Sequence, residues 1–256
     1  MGLADSSCES ICVWELLGKS ITQHGSGQLH TSRVSLSPLP KLPKTQDNTQ
    51  NRVANHDTEL EASAWLRAVS FYVHPEERKF SGQLQRLVKA QEEFQLLKER
   101  NVQREFGVGQ DIGICLVAVL AEDGAHGEDT KLLIDDGRMV VLGTLDVVVA
   151  RALQGQALIG NAHSAAYLAN VCVSSSARRR GVGQKLVDEA VQIAQKEGVD
   201  CVYVHIYASN TIGRRFYESC GFVVEQEEDL NMARRRGQNM DGQPGSGRTV
   251  LMKFVL

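Results

Sequence analysis

From Asp57 onward the apolar positions fall into a helical rhythm. In TELEASAWLRAVSFY, Leu60, Ala64, Val69 and Tyr72 lie near helical spacing behind leading acids, which predicts an amphipathic helix. SGQLQRLVKAQEEFQLLKERN repeats the rhythm: Leu84, Leu87, Val88, Phe94 and Leu97 form a stripe, and Ser81 stands where a cap belongs. The period then changes. GICLVAVLA (Gly113 to Ala121) and RMVVLGTLDVVVA (Arg138 to Ala150) are rich in β-branched residues and predict strands. Between them EDGAHGEDTKLLIDDG reads as a turn-rich insertion with a short strand at Leu132 to Ile134. AAYLANVCVS is a third apolar strand. Beyond Gly183, Leu186, Val187, Ala190, Ile193 and Ala194 trace one face of a helix that should end at Gly198. CVYVHIYA reads as a strand and NTIGRRFYESCG as a short helix closing on glycine. FVVEQEED and TVLMKFVL form a final strand pair, joined by a polar loop, Asn231 to Arg248. The order is helix, helix, three strands, helix, strand, helix, two strands: one mixed α/β domain without internal repeats.

The first 55 residues have no such pattern. They are rich in Ser, Thr, Gln and Asn, and SPLPKLPK (Ser37 to Lys44) holds three of the chain's five prolines. A segment of this kind cannot bury enough surface to offset its chain entropy. Residues 1–55 are therefore expected to be a disordered or targeting segment, and residues 56–256 the folded domain. Hydroxyl richness fits a plastid or mitochondrial targeting sequence, whereas Asp5, Glu9 and Glu15 run against one.

Composition narrows the functional classes. The chain has 256 residues, 42% hydrophobic, with a formal net charge of -3, which argues against a general polyanion-binding role. No apolar run approaches the ~20 residues of a membrane-spanning helix. Cys8, Cys12, Cys115, Cys172, Cys201 and Cys220 show no metal-ligand spacing, and three of them sit inside apolar runs. Buried free thiols in a reducing compartment are the expectation, with no metal site.

The concentrated charge lies in SSSARRRGVGQKLVDEAV (Ser174 to Val191), where arginines meet a glycine pair between a strand and a helix. Glycines there let backbone N–H groups converge on an anion, and the helix start adds about half a positive charge. An arginine adds a fork of donors suited to phosphate. The spacing Arg178-x-x-Gly181-x-Gly183 lacks the glycine pattern of a dinucleotide fold and the ending of a P-loop. Alone the motif is weak, and a solvated helix start is the better reading of it. The arginine run is short and has no interleaved aromatics, so it does not read as a nucleic-acid patch.

Its surroundings carry more. YLANVCVSSSARRRGVGQKLVDEAVQIAQKEG followed by VYVHIYASNTIGRRFYESCGF resembles the GNAT superfamily of acetyl-CoA-dependent N-acetyltransferases. The resemblance spans about Asp57 to Leu256 and is concentrated in Leu168 to Phe222. Through YLANVCV and KAQEEFQLLKERN it extends to the plant plastid GNAT enzymes, which acetylate protein N-termini and lysines. It implies a GNAT fold: a mostly antiparallel twisted sheet, splayed at the strand Ala165 to Val173, with helices on both faces. It implies acetyl-CoA as cosubstrate, its phosphates held by the turn matching Arg179, Arg180, Gly181, Val182, Gly183 and Gln184. The strand residues Val171, Cys172 and Val173, and Asn210, match positions that contact the coenzyme. A strand edge of that kind can pair with the amide-bearing pantetheine arm as an added strand would.

The implied reaction is attack of a neutral amine on a thioester. Deprotonating a lysine at pH 7 costs about 4.6 kcal/mol and an α-amine about 1 kcal/mol, from their ordinary pKa values. Tyr217 matches the family's tyrosine that protonates the departing thiolate; it contacts the coenzyme there too. Many members carry a glutamate base on the strand before the asparagine, and here the position five residues before Asn210 is His205. A neutral histidine can accept a proton directly or through water. Alternation on CVYVHIYA puts Cys201, Tyr203, His205 and Tyr207 on one face, so a core histidine bonded to backbone is the competing reading. The acidic EQEED (Glu225 to Asp229) and the basic ARRRGQ (Ala233 to Gln238) read as solvated runs. The expected partner is a protein or peptide amine, N-terminal or lysine, and the expected location is the plastid stroma or otherwise the cytoplasm. A small-amine acetyltransferase (arylalkylamine or polyamine) and a non-catalytic CoA-binding regulator are the alternatives.

Overall fold

Apolar runs that are continuous rather than alternating belong to strands covered on both faces, and the long runs of this chain occupy that position. The computed structural model describes residues 49–72, 79–106, 112–121, 130–134, 138–150, 164–235 and 247–256. Their elements are β1 (Gln50–Val53), α1 (Asp57–Phe71), α2 (Lys79–Glu105), β2 (Ile112–Ala121), β3 (Leu133–Ile134), β4 (Met139–Ala150), β5 (Ala165–Val173), α3 (Val182–Lys196), β6 (Cys201–Tyr207), α4 (Thr211–Ser219), β7 (Val223–Glu227), α5 (Leu230–Arg235) and β8 (Thr249–Val255). Short 3₁₀ turns precede β3 and α3.

One sheet of eight strands runs in the order β1-β2-β4-β5-β6-β8-β7, with β3 paired to β4. Every pairing is antiparallel except β5–β6. That parallel step needs a crossover, which α3 supplies. Neighbouring positions on β4 identify the two faces. A Cβ at Gly143 would meet Leu186 and Val182 of α3 at 2.9 and 3.1 Å. Thr144 and Asp146 are bonded instead to Arg67 of α1. Helices α1 and α2 therefore cover one face and α3 the other, as the resemblance implied. The core lies between, along β2, β4 and β5: Leu116, Val117, Leu145, Val147 and Leu168 are fully enclosed.

Four expectations need correction. The folded unit begins before residue 55: β1 pairs with β2 from Gln50↔Val119 to Val53↔Leu116. Four residues reading QNRV show no periodicity, because an edge strand is held by backbone bonds rather than by its own apolar face. Ser81 is not a cap, since α2 begins at Lys79. The α2 stripe is not buried throughout: Leu84, Leu87 and Val88 are 55, 43 and 48% exposed, while Leu97 is buried. The helix has 27 residues, about 40 Å at 1.5 Å per residue, and the residues that reach the sheet come from its second half. Part of the predicted loop after Asn231 is helical, as α5. The remainder of that loop, residues 1–48 and most of the insertion after Ala121 lie outside the described residues.

Candidate active site

The strands β5 and β6 separate partway along. They pair in parallel from Ala165↔Cys201 to Leu168↔Val204 and no further. Just beyond, the β4–β5 register shifts between Thr144 and Asp146, and Asn170 takes a left-handed φ of 53°. A cavity of about 410 Å³ occupies the gap. Its walls come from β5 (Leu168 to Val171, and Val173), β6 (Val204 to Ile206), the turn into α3 and the inner face of α4.

The turn has the local geometry that the glycines predict. Arg179 has φ 62° and Gly181 φ 83°, and Gly181 is the residue before the first helical turn of α3. The first helical backbone bond runs from Lys185 N–H to Gly181 C=O at 3.0 Å. The N–H groups of Val182, Gly183 and Gln184 precede the helix's own ladder, as helix starts require. Arg178 is tied to the end of β5, its Nε donating to Val173 C=O at 3.3 Å. The Gln184 side chain is occupied by the protein: Nε2 donates to Asp188 Oδ1 at 2.8 Å, and Oε1 accepts from Cys220 Sγ at 3.0 Å. At Gln184 the main-chain amide is the group left to offer an anion. Burial, with Asp188 close by, pushes the Cys220 thiol up to about 11, which disfavours the thiolate at neutral pH.

Across the cavity, Asn210 is the N-cap of α4, its Oδ1 accepting from Gly213 N–H at 2.7 Å. Tyr217, one α4 turn beyond Gly213, is buried with its ring edge-on to Phe216 and Phe222, at centroid distances of 5.0 and 5.5 Å. His205 lies on β6 beside the Tyr167 ring, 5.6 Å between centroids. Tyr203, on the same face of β6, is buried with Tyr167 and Cys201, and burial pushes its hydroxyl up from the ordinary range.

Known proteins resemble this chain in sequence and in fold. Residues 116–222 match the model of the acetyltransferase (GNAT) family. The chain is 32% identical over 189 residues to the chloroplastic GCN5-related N-acetyltransferase 7 of Arabidopsis thaliana, covering 70% of this chain and 68% of the relative. The chain belongs to the GNAT family of acetyltransferases. Members of this family use acetyl-CoA. The chloroplastic GCN5-related N-acetyltransferase 6 of the same plant is 30% identical over 187 residues, 68% of this chain. That match spans only 61% of the relative's length. In fold, a crystallised GNAT-family acetyltransferase of Desulfovibrio desulfuricans superposes with a TM-score of 0.50 over 81% of this chain and 98% of its own, at 14% identity.

Against the GNAT expectations, the structure brings Val171, Val173, Arg179, Gly181, Val182, Gly183, Gln184, His205, Asn210 and Tyr217 to one cavity. Cys172 and Arg180 are not among its lining residues. Cys172 pairs with Thr144 and is fully buried, and Arg180 is exposed. The acidic run is partly solvated, with Glu227 and Asp229 exposed, and partly engaged: Glu225 pairs with Lys253 at 3.6 Å and Glu227 with Arg214 at 2.9 Å, and Glu228 accepts from Thr249 N–H at 2.8 Å. The basic run Ala233 to Gln238 is described only to Arg235. Asn170 and Phe216 line the cavity and were missed. The signal for Asn170 was present, as the single polar residue inside the apolar run YLANVCV.

Proposed function

We propose that this chain transfers an acetyl group from acetyl-CoA to a protein amine, an N-terminal α-amine or a lysine ε-amine, by direct attack. The observation that carries the proposal is the separation of β5 from β6, with the start of α3 at one end of the gap and Tyr217 and His205 in its walls. The residues fit the coenzyme. Amides outside the helix ladder at Val182, Gly183 and Gln184 suit a pyrophosphate, with Arg178 and Arg179 beside them. The edge of β5 beyond Leu168 has left the β6 ladder and suits the pantetheine arm.

In this reading the acceptor nitrogen attacks the thioester carbonyl carbon, and a backbone N–H of β5 stabilises the developing oxyanion. His205 takes the proton lost by the amine. The C–S bond breaks, and Tyr217 gives its hydroxyl proton to the departing thiolate. Thiol, with a pKa near 8.5, is a stronger acid than tyrosine near 10, so this transfer is uphill and depends on placement. The names of the Arabidopsis relatives support a plastid location for this chain as well. A fluorescent fusion with and without residues 1–48 tests that point.

The function is tested by incubating the purified protein with acetyl-CoA and a proteome-derived peptide library and locating acetyl groups by mass spectrometry. Acetylated α-amines or lysines support the proposal. Turnover only on arylalkylamines or polyamines makes the chain a small-amine enzyme, and coenzyme binding without turnover makes it a regulator. Gly181→Glu tests the cradle: the new side chain meets a strained φ and brings negative charge to the phosphates, so the acetyl-CoA KM should rise at least tenfold. Unchanged coenzyme affinity in the folded variant rules the cradle out.

A further inference from the structure

The bend that opens the cavity is made by one inserted residue. Between the pairs Asp146↔Ala169 and Thr144↔Cys172, β4 has one residue, Leu145, and β5 has two, Asn170 and Val171. This is a β-bulge, which bends and twists its strand. It begins two positions after β5 leaves β6 at Leu168. Asn170, the first of the two, adopts a left-handed conformation, which costs a side-chain-bearing residue energy.

Asn170 is tethered as well as bent. Its Nδ2 donates to Asp146 Oδ2 at 2.9 Å. Asp146 is itself gripped from both covering helices. Arg67 of α1 reaches Oδ2 at 3.0 Å through Nη1 and Oδ1 at 2.5 Å through Nη2, and Arg100 of α2 reaches Oδ2 at 2.9 Å. Arg67 also donates to Thr144 Oγ1 at 3.1 Å, beside the register shift. Asp146, Arg67 and Asn170 are at most 1% exposed. The carboxylate fixes which way the carboxamide turns, since a flipped amide would set Oδ1 against Asp146. Asn170 Oδ1 then has no partner among the described residues.

A buried ion pair adds little net stability over well-packed apolar side chains, and its best-attested use is to fix registry. Here a left-handed asparagine, an unpartnered buried acceptor and a buried charge cluster all meet at the bulge. Such costs, kept together at one point beside a cavity, mark positioning rather than stability. We propose that Arg67, Asp146 and Asn170 are positioning residues: through them α1 and α2 lock the β5 bulge, and so set where the thioester carbonyl lies relative to Tyr217 and His205. The proposal rests on the cavity being the site of acetyl transfer.

Two variants of the full chain test it. Asn170→Gly accepts the left-handed φ without strain and removes the tether together with a side chain that lines the cavity. Arg67→Met/Asp146→Leu replaces the central ion pair with apolar groups and leaves Glu93 and Arg100 without these partners. Each is assayed for thermal midpoint, for CoA affinity by calorimetry, and for kcat on a lysine-free peptide with a free α-amine at saturating acetyl-CoA. CoA affinity should stay at wild type in both, because the phosphate cradle at α3 is untouched, and the thermal midpoint of Asn170→Gly should stay close to wild type. The kcat should fall about 10- to 100-fold, the scale of an ångström's misplacement. Wild-type kcat in Asn170→Gly overturns the proposal, and that variant decides alone if the double variant does not fold. In Asn170→Gly, a fall in thermal midpoint matching the loss of activity also overturns it, because the network would then be structural. Failure of the cavity reading is seen separately, as normal turnover in Tyr217→Phe together with normal CoA affinity in Gly181→Glu.

Discussion

Gly183 sits against the ring of Phe216: a Cβ built on the glycine would lie 3.2 Å from Cζ and 3.3 Å from Cε2. The glycine that opens α3 is thus also the spacer that lets α3 and α4 close on the cavity. Its neighbour Gly181 is different, with φ 83° and nothing within 4 Å of its Cβ position. One glycine is required by packing and the other by backbone conformation. Gly183→Val should destabilise the protein by about 1–3 kcal/mol through overpacking and raise the acetyl-CoA KM, and adding Phe216→Leu should recover most of both. Thermal unfolding and initial-rate kinetics on the single and double variants check this.

Tyr217 and His205 should leave different kinetic signatures. Tyr217→Phe keeps the ring and its contacts, so coenzyme affinity should persist while kcat falls about 10²- to 10⁴-fold, the range for a lost general acid. The loss should shrink with a thioester whose thiol is more acidic. His205→Ala should act on the amine side. Its effect should be larger for lysine, whose deprotonation costs about 4.6 kcal/mol, than for an α-amine at about 1 kcal/mol. Paired pH–rate profiles on two peptides, one offering each amine, measure this. An unchanged profile for His205→Ala makes the histidine structural.

A chain beginning at Asp57 should be less stable than one beginning at Thr49. It lacks β1, and it lacks the donors that satisfy the buried carboxylate of Glu59. Those are Arg52 Nε at 2.7 Å and the backbone N–H groups of Asn55 and His56 at 2.9 and 3.2 Å. Losing such partners costs on the order of 1–3 kcal/mol. Comparing the thermal midpoints of the two chains decides it, and equal midpoints would show that β1 contributes nothing.

Acid should reveal the Arg67–Asp146 contact. Burial by itself raises the Asp146 carboxyl, but Arg67 and then Arg100 outweigh it and hold the group below its ordinary range. A carboxyl depressed in the folded state contributes stability above its unfolded pKa, near 3.9, and loses it as pH falls through the folded value. Wild-type unfolding free energy should therefore be level from neutrality down to about pH 5 and drop below about pH 4. Asp146→Asn leaves the buried Arg67 with only its longer ion pair to Glu93, at 3.4 Å, and losing the partner of a buried pair typically costs about 3–5 kcal/mol at neutral pH. That deficit should narrow in acid, where the wild-type carboxyl also becomes neutral. Denaturant titrations between pH 3 and pH 7 measure both curves.

Most elements were legible because their signals are local. The strands β2, β4, β5 and β6 are apolar runs in the chain itself. Helix α3 has a clean 3.6-residue stripe, and Asn210 and the glycine turn mark helix starts by the chemistry of a few neighbouring residues. Motif order and spacing carried the family, and with it Tyr217, His205 and the turn at Gly181. Among the positions that failed, β1 and the exposed half of the α2 stripe are those where burial depends on what another segment covers.

Periodicity fixes which face of an element is apolar, and motif chemistry fixes which residues can hold an anion or move a proton. Neither contains distance between segments far apart in sequence. That Asp146 answers to Arg67, 79 positions away, that Asn170 bends β5 where it leaves β6, and that Gly183 must be small because Phe216 is there all depend on the sheet being assembled. Those contacts are long-range, close-packed and specific to one register, so only the tertiary structure decided them.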